Sequence, residues 1–193
     1  MDKRFCIPID LPRLNNETEQ EIIEFASQNN GRFIGWTFIN NYVSSIDKQV
    51  NLGFSNIRIV DEKETNFFKE LLEKNNIKLN YQNLLFALQK SKLVIHPHTD
   101  PGRTVTLQYL IKGKAISRFW SMKNFKPDVG YKLKDLTLES EFVIEPHTWY
   151  LYNNSAIHSA YNIENERIQL AVVLTYKFKD FEDAKTNFCQ ILI

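Results

Sequence analysis

The residues whose types and spacing could do chemistry are concentrated in the stretch LVIHPHTDPGRTVTLQY, residues 93–109. At its centre, His98 and Asp100 are separated by one residue, and in an extended strand such side chains point to the same face. An imidazole nitrogen and a carboxylate oxygen placed in this way can both reach one divalent metal ion. The site needs a third ligand, which has to come from elsewhere in the chain.

The chain has four histidines, and one of them suits that role. His158 lies in SAIHSAYN, another short run with strand character. Two histidines and one carboxylate on one side of a metal ion, with open positions opposite, form the facial triad of non-haem Fe(II) oxygenases. His96 is an alternative ligand, because it would share the face of His98 in a regular strand. A cupin-type site with several histidines would use His96 and His98 together.

The order of these residues, with Arg167 following at the start of RIQLAVVLTY, resembles the 2-oxoglutarate/Fe(II)-dependent dioxygenases. The most similar branches are the prolyl- and aspartyl/asparaginyl-hydroxylase-like ones, and the resemblance covers about residues 93–176. It implies that His98, Asp100 and His158 hold Fe(II). It also implies that the protein uses 2-oxoglutarate and O2 to hydroxylate a small-molecule or peptidyl substrate, with release of succinate and CO2.

The resemblance further implies which residues bind the co-substrate. Arg167 would hold the distal carboxylate of 2-oxoglutarate, which its planar guanidinium can bind through two hydrogen bonds. Tyr109 lies in a strand like the one that carries a co-substrate-binding tyrosine in the family. Gln169 occupies a position where the family often has serine or threonine, and its amide can still donate a hydrogen bond. The residues alone leave open that Arg167 pairs with Glu164 or Glu166 instead. They also leave open two other functions, a cupin-like metal enzyme that does not use 2-oxoglutarate and a non-catalytic β-barrel binding module.

The alternation in RIQLAVVLTY predicts that its arginine faces a cavity. One face of this run is apolar and is expected in the core; it consists of Ile168, Leu170, Val172, Leu174 and Tyr176. The other face begins with Arg167 and Gln169 and continues with small residues, as the wall of a cavity would. Because an unpaired buried charge is very costly, the guanidinium needs an anion there.

Two stretches in the first eighty residues predict amphipathic helices. In TEQEIIEFASQNNG, Thr18 and Glu21 form a capping-box pattern, and Gly31 is the expected stop. EKETNFFKELLEKNN places an apolar side opposite its charges, consisting of Phe67, Phe68, Leu71 and Leu72. The runs RFIGWTFIN and VNLGFSNIRIV, rich in aromatic and branched residues, predict strands.

From residue 81 onward the sequence predicts a succession of short strands, which is typical of a sandwich or closed barrel. A double-stranded β-helix, the jelly-roll or cupin-like architecture, accommodates their number. We therefore expect a mostly β single domain over residues 1–193, with 1–80 as an α/β N-terminal support and 81–178 as the β-helix core. Residues 121–139 are polar and irregular and predict a loop near the mouth of the barrel. The last fifteen residues fit either a helix or a strand.

Composition excludes several classes of protein. The formal net charge of +1 gives no electrostatic basis for sequence-independent nucleic-acid binding. Cys6 and Cys189 are the two cysteines, so the chain has no disulfide framework and a reducing compartment is expected. It shows neither a signal-peptide pattern nor an apolar run of membrane-spanning length, which predicts a cytoplasmic protein with no membrane partner. The primary substrate and the oligomeric state are not predicted by the sequence.

Overall fold

The computed structural model describes residues 2–29, 34–35, 54–59, 61–79, 85–91, 94–100, 103–125, 131–162, 166–174 and 177–192. Within these ranges the strands are β1 Cys6–Ile9, β2 Ile34–Gly35, β3 Phe54–Ile59, β4 Leu85–Ser91, β5 Val94–His98, β6 Val105–Lys112, β7 Ala115–Ser121, β8 Thr137–Ile144, β9 Trp149–Asn153, β10 Ile157–Asn162 and β11 Arg167–Val173. The helices are α1 Asn16–Gln28, α2 Glu62–Lys74 and α3 Phe181–Asn187, with 3-10 turns at Leu133–Asp135 and Phe188–Ile191.

The strand order is that of a double-stranded β-helix. One sheet has the order β1-β9-β6-β11-β4-β3-β2, and the other has the order β5-β10-β7-β8. From β4 to β11 the chain repeatedly crosses between the sheets, so that β4, β6, β9 and β11 lie in the larger sheet and the other four strands in the smaller one. The pairings within both sheets are antiparallel. The predicted mostly β, jelly-roll architecture is therefore confirmed.

The main hydrophobic core lies between the larger sheet and the three helices. Alternate residues of β11 enter this core, which confirms four members of the predicted apolar face; they are Ile168, Leu170, Val172 and, just after the strand, Leu174. The fifth, Tyr176, lies outside the described residues. The helices contribute Ile22, Phe68 and Ala184, among others. Each large apolar side chain buried in this way stabilises the fold by roughly 1.5–3 kcal/mol. The opposite faces of β6 and β11 are therefore not needed for this core and can carry polar side chains.

Helix α1 begins earlier than the capping-box pattern predicts. Asn15 is its N-cap, and the side chain of Asn15 accepts a hydrogen bond from the Thr18 N–H at 2.8 Å. Thr18 is not the cap because its hydroxyl is buried and accepts from Asn75 Nδ2 at 2.8 Å, a contact with the end of α2. The helix ends at Gln28, and the expected stop at Gly31 lies outside the described residues.

The polar segment at residues 121–139 is only partly a loop. Ser121 and Thr137 face each other in the pairing of β7 with β8, and residues 126–130 lie outside the described ranges. The Tyr131 N–H donates to the Pro97 carbonyl at 3.0 Å, which ties this segment to β5. The C-terminal tail, whose sequence fits either a helix or a strand, forms the helix α3. Within the described ranges, no helix combines the length and apolar character needed to cross a membrane.

Tyr109 lies on the helix side of the larger sheet, which corrects the expectation that it contacts a co-substrate. Its ring is fully buried beside Trp149, with the centroids 4.7 Å apart. Its hydroxyl donates to Glu19 Oε1 at 2.6 Å and accepts from the Leu14 N–H at 3.2 Å. Because neighbouring residues of a strand face opposite sides, Tyr109 points away from the cavity that Gln108 lines. The phenol therefore anchors the N-terminal segment.

We expect Tyr109→Phe to lower the free energy of unfolding by about 1–3 kcal/mol. The reason is that the Glu19 carboxylate and the Leu14 N–H each lose a buried hydrogen-bond partner. Chemical denaturation measures this loss, and metal and 2-oxoglutarate titrations of the same variant should match the wild type. Lost co-substrate affinity at unchanged stability would return Tyr109 to the binding site.

Candidate metal centre

Three side chains from the smaller sheet and its adjoining loop form a group that could hold a metal ion. His98 is the last residue of β5, Asp100 follows it, and His158 of β10 lies opposite His98 in the pairing register. All three are buried, and one ligand atom of each lies within 4.8 Å of the others. His98 Nε2 is 3.6 Å from Asp100 Oδ1, and His158 Nε2 is 3.9 Å from Asp100 Oδ2. The structure thus brings together the predicted ligand set.

Both histidines are oriented by a backbone carbonyl two residues earlier in the chain. His98 Nδ1 lies 2.6 Å from the His96 oxygen, and His158 Nδ1 lies 2.9 Å from the Ala156 oxygen. Because a carbonyl can only accept, each Nδ1 carries a hydrogen, and the Nε2 of each ring is the nitrogen turned toward a metal position. Burial and then the neighbouring His98 lower the pKa of His158 to about 3, so this ring is neutral at physiological pH.

Asp100 was predicted from the alternation of an extended strand, but it lies in the loop after β5. Its position is therefore fixed by hydrogen bonds. Its N–H donates to the Asn154 carbonyl at 3.1 Å. Its Oδ1 accepts from Arg103 Nη2 at 2.9 Å, and its Oδ2 accepts from Asn154 Nδ2 at 2.6 Å. Burial works to raise the pKa of the Asp100 carboxyl, but the charge of Arg103 and the contact with His98 hold it well below its usual range. The group is therefore an ionised carboxylate.

A bulge in β5 separates His96 from the candidate ligands. In the pairing with β10, His98 lies opposite His158 and Ile95 lies opposite Ala160. β5 therefore contains one more residue than β10 over this interval. A bulge re-aims the side chains around it. Ile95 and His98 consequently both line the cavity, and His96 is not a member of the group of ligands. The expectation that His96 shares their face is corrected.

Arg167 is buried, and none of the described residues provides it with a carboxylate. Its exposed fraction is 4%, and within the described ranges its Nε has no hydrogen-bond partner. Glu166, one of its two expected rival partners, lies 3.1 Å from Lys112 Nζ and 3.8 Å from Lys90 Nζ instead. Glu164 lies outside the described residues. Burial lowers the pKa of Arg167 to about 10, which still leaves the guanidinium charged at neutral pH.

The triad and Arg167 line the same cavity between the two sheets, which has a volume of about 30 Å³. Its other polar lining comes from Gln89, Gln108, Gln169, Asn154 and Tyr152. Gln169, predicted as a co-substrate contact, faces this cavity. Its Nε2 donates to Gln108 Oε1 at 2.7 Å, and its Oε1 is buried with no hydrogen-bond partner among the described residues. The cavity thus combines a candidate metal site with a charged donor and several amides.

Sequence reasoning missed several residues of this site, among them Tyr152, Gln108 and Asn154. Tyr152 supplies the phenol at the cavity, with its ring edge-on to His158 and centroids 5.3 Å apart. Gln108 could have been found, because VTLQYLI carries polar residues at alternate positions of an otherwise apolar strand. Asn154 has no such signal, since it follows β9 in a turn and its partner Asp100 is distant in sequence.

Neither a protein-family model nor a curated protein sequence matches this chain. Similar solved structures include the non-heme alpha ketoglutarate dependent epimerase SnoN from nogalamycin biosynthesis, at 9% identity over 84% of this chain and 75% of that chain, with a TM-score of 0.49. A point mutant of Bacillus subtilis oxalate decarboxylase OxdC has 17% identity, covering 64% of this chain and 26% of that chain, with a TM-score of 0.38.

A structure of the DMSP lyases RdDddP and RnDddQII has 13% identity over 48% of this chain and 38% of that chain, with a TM-score of 0.33. This chain therefore spans well under half the length of the decarboxylase and lyase chains. At these identities and TM-scores the similarities add nothing to what the strand order shows. Fold and geometry together give a candidate metal centre inside a cupin-like barrel.

We expect Asp100→Ala and His158→Ala each to weaken Mn(II) binding by about 100-fold or more, because each removes one of three ligands and even outer partners of such ligands contribute 10–100-fold. Calorimetric titration of Mn(II) measures this, and circular dichroism checks the fold. His96→Ala is the matched control, since it removes an imidazole from the same strand outside the ligand group. If His96→Ala loses the metal and His98→Ala keeps it, the site lies on the other side of the bulge.

Proposed function

We propose that this protein is an Fe(II)- and 2-oxoglutarate-dependent dioxygenase that hydroxylates a small-molecule or peptidyl substrate. The observation that carries the proposal is the buried guanidinium of Arg167, which lines the same cavity as the His98–Asp100–His158 triad. A buried charge is costly unless it is paired, and no described residue supplies the counter-charge. The cavity therefore favours an anionic ligand that can also reach a metal ion.

The donor set fits a facial triad, because two imidazoles and one carboxylate leave positions open for other ligands. 2-Oxoglutarate satisfies both ends of the cavity, since it has a keto-acid end that can chelate a metal and a distal carboxylate that suits Arg167. When bound, Fe(II) and 2-oxoglutarate supply the activation of O2 and the oxidation of a substrate C–H bond, with release of succinate and CO2.

The protein's own residues bind and orient these groups. The carbonyls of His96 and Ala156 hold the two imidazoles with Nε2 toward the metal position. Arg103 and Asn154 hold the carboxylate of the third ligand. The cavity of about 30 Å³ has room for ordered water. A five-carbon diacid is larger, so its entry requires the flexible glutamine side chains of the wall to move.

We expect Arg167→Ala to weaken 2-oxoglutarate binding by about one to several powers of ten, because two charge-assisted hydrogen bonds of roughly 1.5–3 kcal/mol each are lost. Arg167→Lys should recover only part of the affinity, since a point charge does not replace the planar fork. The measurement is 2-oxoglutarate calorimetry on the Mn(II)-loaded protein without oxygen. Mn(II) affinity measured without 2-oxoglutarate should change little.

Arg118→Ala is the control, because Arg118 pairs with Glu141 and stacks over the Tyr161 ring, away from the cavity. It should bind 2-oxoglutarate as the wild type does. Failure of the wild type to bind 2-oxoglutarate would leave a metal site of another reaction class and end the dioxygenase proposal. Undiminished binding by Arg167→Ala would place the anion elsewhere. Production of succinate in the presence of Fe(II) and O2 tests turnover directly.

A further inference from the structure

A continuous chain of side-chain hydrogen bonds connects the candidate metal ligand to the far wall of the cavity. Asn154 Nδ2 donates to Asp100 Oδ2 at 2.6 Å, and Thr106 Oγ1 donates to Asn154 Oδ1 at 2.6 Å. Gln108 Nε2 donates to Thr106 Oγ1 at 2.8 Å, and Gln169 Nε2 donates to Gln108 Oε1 at 2.7 Å. All five side chains are buried, with exposed fractions of 7% or less.

The ionised carboxylate fixes the direction of every bond in this chain. A carboxylate only accepts, so the Asn154 amide must turn its NH2 group toward Asp100 and its oxygen toward Thr106. The single hydroxyl hydrogen of Thr106 then goes to Asn154, and Thr106 has to accept from Gln108. The same logic orients Gln169, whose Oε1 has no hydrogen-bond partner in the part of the chain that the structure describes.

Thr106 is the link on which the direction depends. It is 1% exposed, and it is not among the residues that line the cavity. Among the five hydrogen-bonded side chains, Thr106 is the one that donates and accepts through a single atom, its hydroxyl oxygen. A side chain at this position therefore needs a hydroxyl to join the two amides. Removing it leaves the Asn154 oxygen and the Gln108 NH2 group without these partners in a dry environment, where unpaired polar groups are costly.

The chain ends beside the residue that would bind the co-substrate. Gln169 and Arg167 lie two residues apart in β11 and both line the cavity. A diacid that enters there displaces glutamine side chains, and these are bonded through Thr106 and Asn154 to the metal carboxylate. Binding of a diacid beside Arg167 would thereby be connected, through this series of hydrogen bonds, to the orientation of the Asp100 carboxylate.

We propose that Thr106 is a positioning residue that holds the Asp100 carboxylate in its metal-binding orientation and transmits changes at the Arg167 end of the cavity to it. The first half of this proposal stands on the hydrogen bonds alone. The second half rests on the proposed use of 2-oxoglutarate. Thr106 touches neither metal nor co-substrate, so its effect has to pass through Asn154 on one side and Gln108 on the other.

The first test is Mn(II) calorimetry without co-substrate on three variants of the full chain. Thr106→Val keeps the shape and removes the hydroxyl. We expect a Kd about three- to tenfold higher, the range for one hydrogen bond, because, of the two bonds lost, it is the one to Asn154 that supports Asp100. Thr106→Ser restores the hydroxyl and should restore the affinity. Thr18→Val is the matched control, because Thr18 is also 1% exposed and also accepts from a buried amide, Asn75 Nδ2, far from the cavity.

A spectroscopic readout separates positioning from general destabilisation. We expect the Mn(II) electron paramagnetic resonance spectrum of Thr106→Val to differ from the wild-type spectrum, and those of Thr106→Ser and Thr18→Val to match it. If Thr106→Val does not fold, Gln108→Met interrupts the chain one link further and should shift affinity and spectrum in the same direction. Wild-type affinity and spectrum in the interrupted variant would overturn the proposal, as would equal losses in Thr106→Val and Thr18→Val.

The second test titrates 2-oxoglutarate into the Mn(II)-loaded proteins. If the hydrogen bonds through Thr106 transmit changes between the two ends of the cavity, Thr106→Val should also lower the affinity for 2-oxoglutarate, by about two- to tenfold. This loss would occur although Thr106 does not line the cavity. Unchanged affinity would overturn transmission along the chain. If the wild type binds Mn(II) and not 2-oxoglutarate, the dioxygenase proposal fails by itself, and the metal titration still decides the positioning role.

Discussion

The burial of the Asp100 carboxylate is the constraint on which the rest of the site depends. A carboxylate removed from water needs charge and hydrogen bonds on each side. Arg103 supplies the charge at one oxygen, and the Asn154 side chain supplies the hydrogen bond at the other. The Asn154 carbonyl also accepts from the Asp100 N–H, so the turn after β9 and the loop after β5 are joined twice. These contacts keep the carboxylate between His98 and His158.

The location of the main core makes a polar barrel interior possible. The larger sheet buries its apolar face against the helices, through residues such as Leu107 and Leu170, and this burial supplies stability without help from the interior. The interior faces of the same strands can then carry glutamines and a charged arginine. Arg167 lacks a counter-charge among the described residues, which lowers the stability of the folded protein. An anionic ligand that binds only the folded state would raise that stability by mass action.

How far the sequence predicts this structure depends on whether a feature follows from local alternation. The apolar and polar faces of β11 follow from it. The role expected for Tyr109 came from the family resemblance instead, and alternation with the cavity-facing Gln108 places Tyr109 on the opposite side of the sheet. His96 was assigned to the wrong face because a bulge between Ile95 and His98 breaks the alternation, and Pro97 in that interval is the signal that could have indicated it. Asn154 could not be assigned, because a turn residue gains its role from the tertiary contact with Asp100.

The charges around the cavity indicate the order in which a metal ion and a dicarboxylate bind. Asp100 is the one acidic side chain among the described residues of the lining, and Arg103 already pairs with it at 2.9 Å. The formal charges of Asp100, Arg103 and Arg167 (−1, +1 and +1) therefore sum to +1, and a divalent ion raises the total to +3. Charges interact strongly in a buried site, so a cavity loaded with metal attracts a dianion more than an empty one does. Metal binding should therefore precede and strengthen binding of a dicarboxylate, and the hydrogen-bond chain through Thr106 would add to this direct attraction.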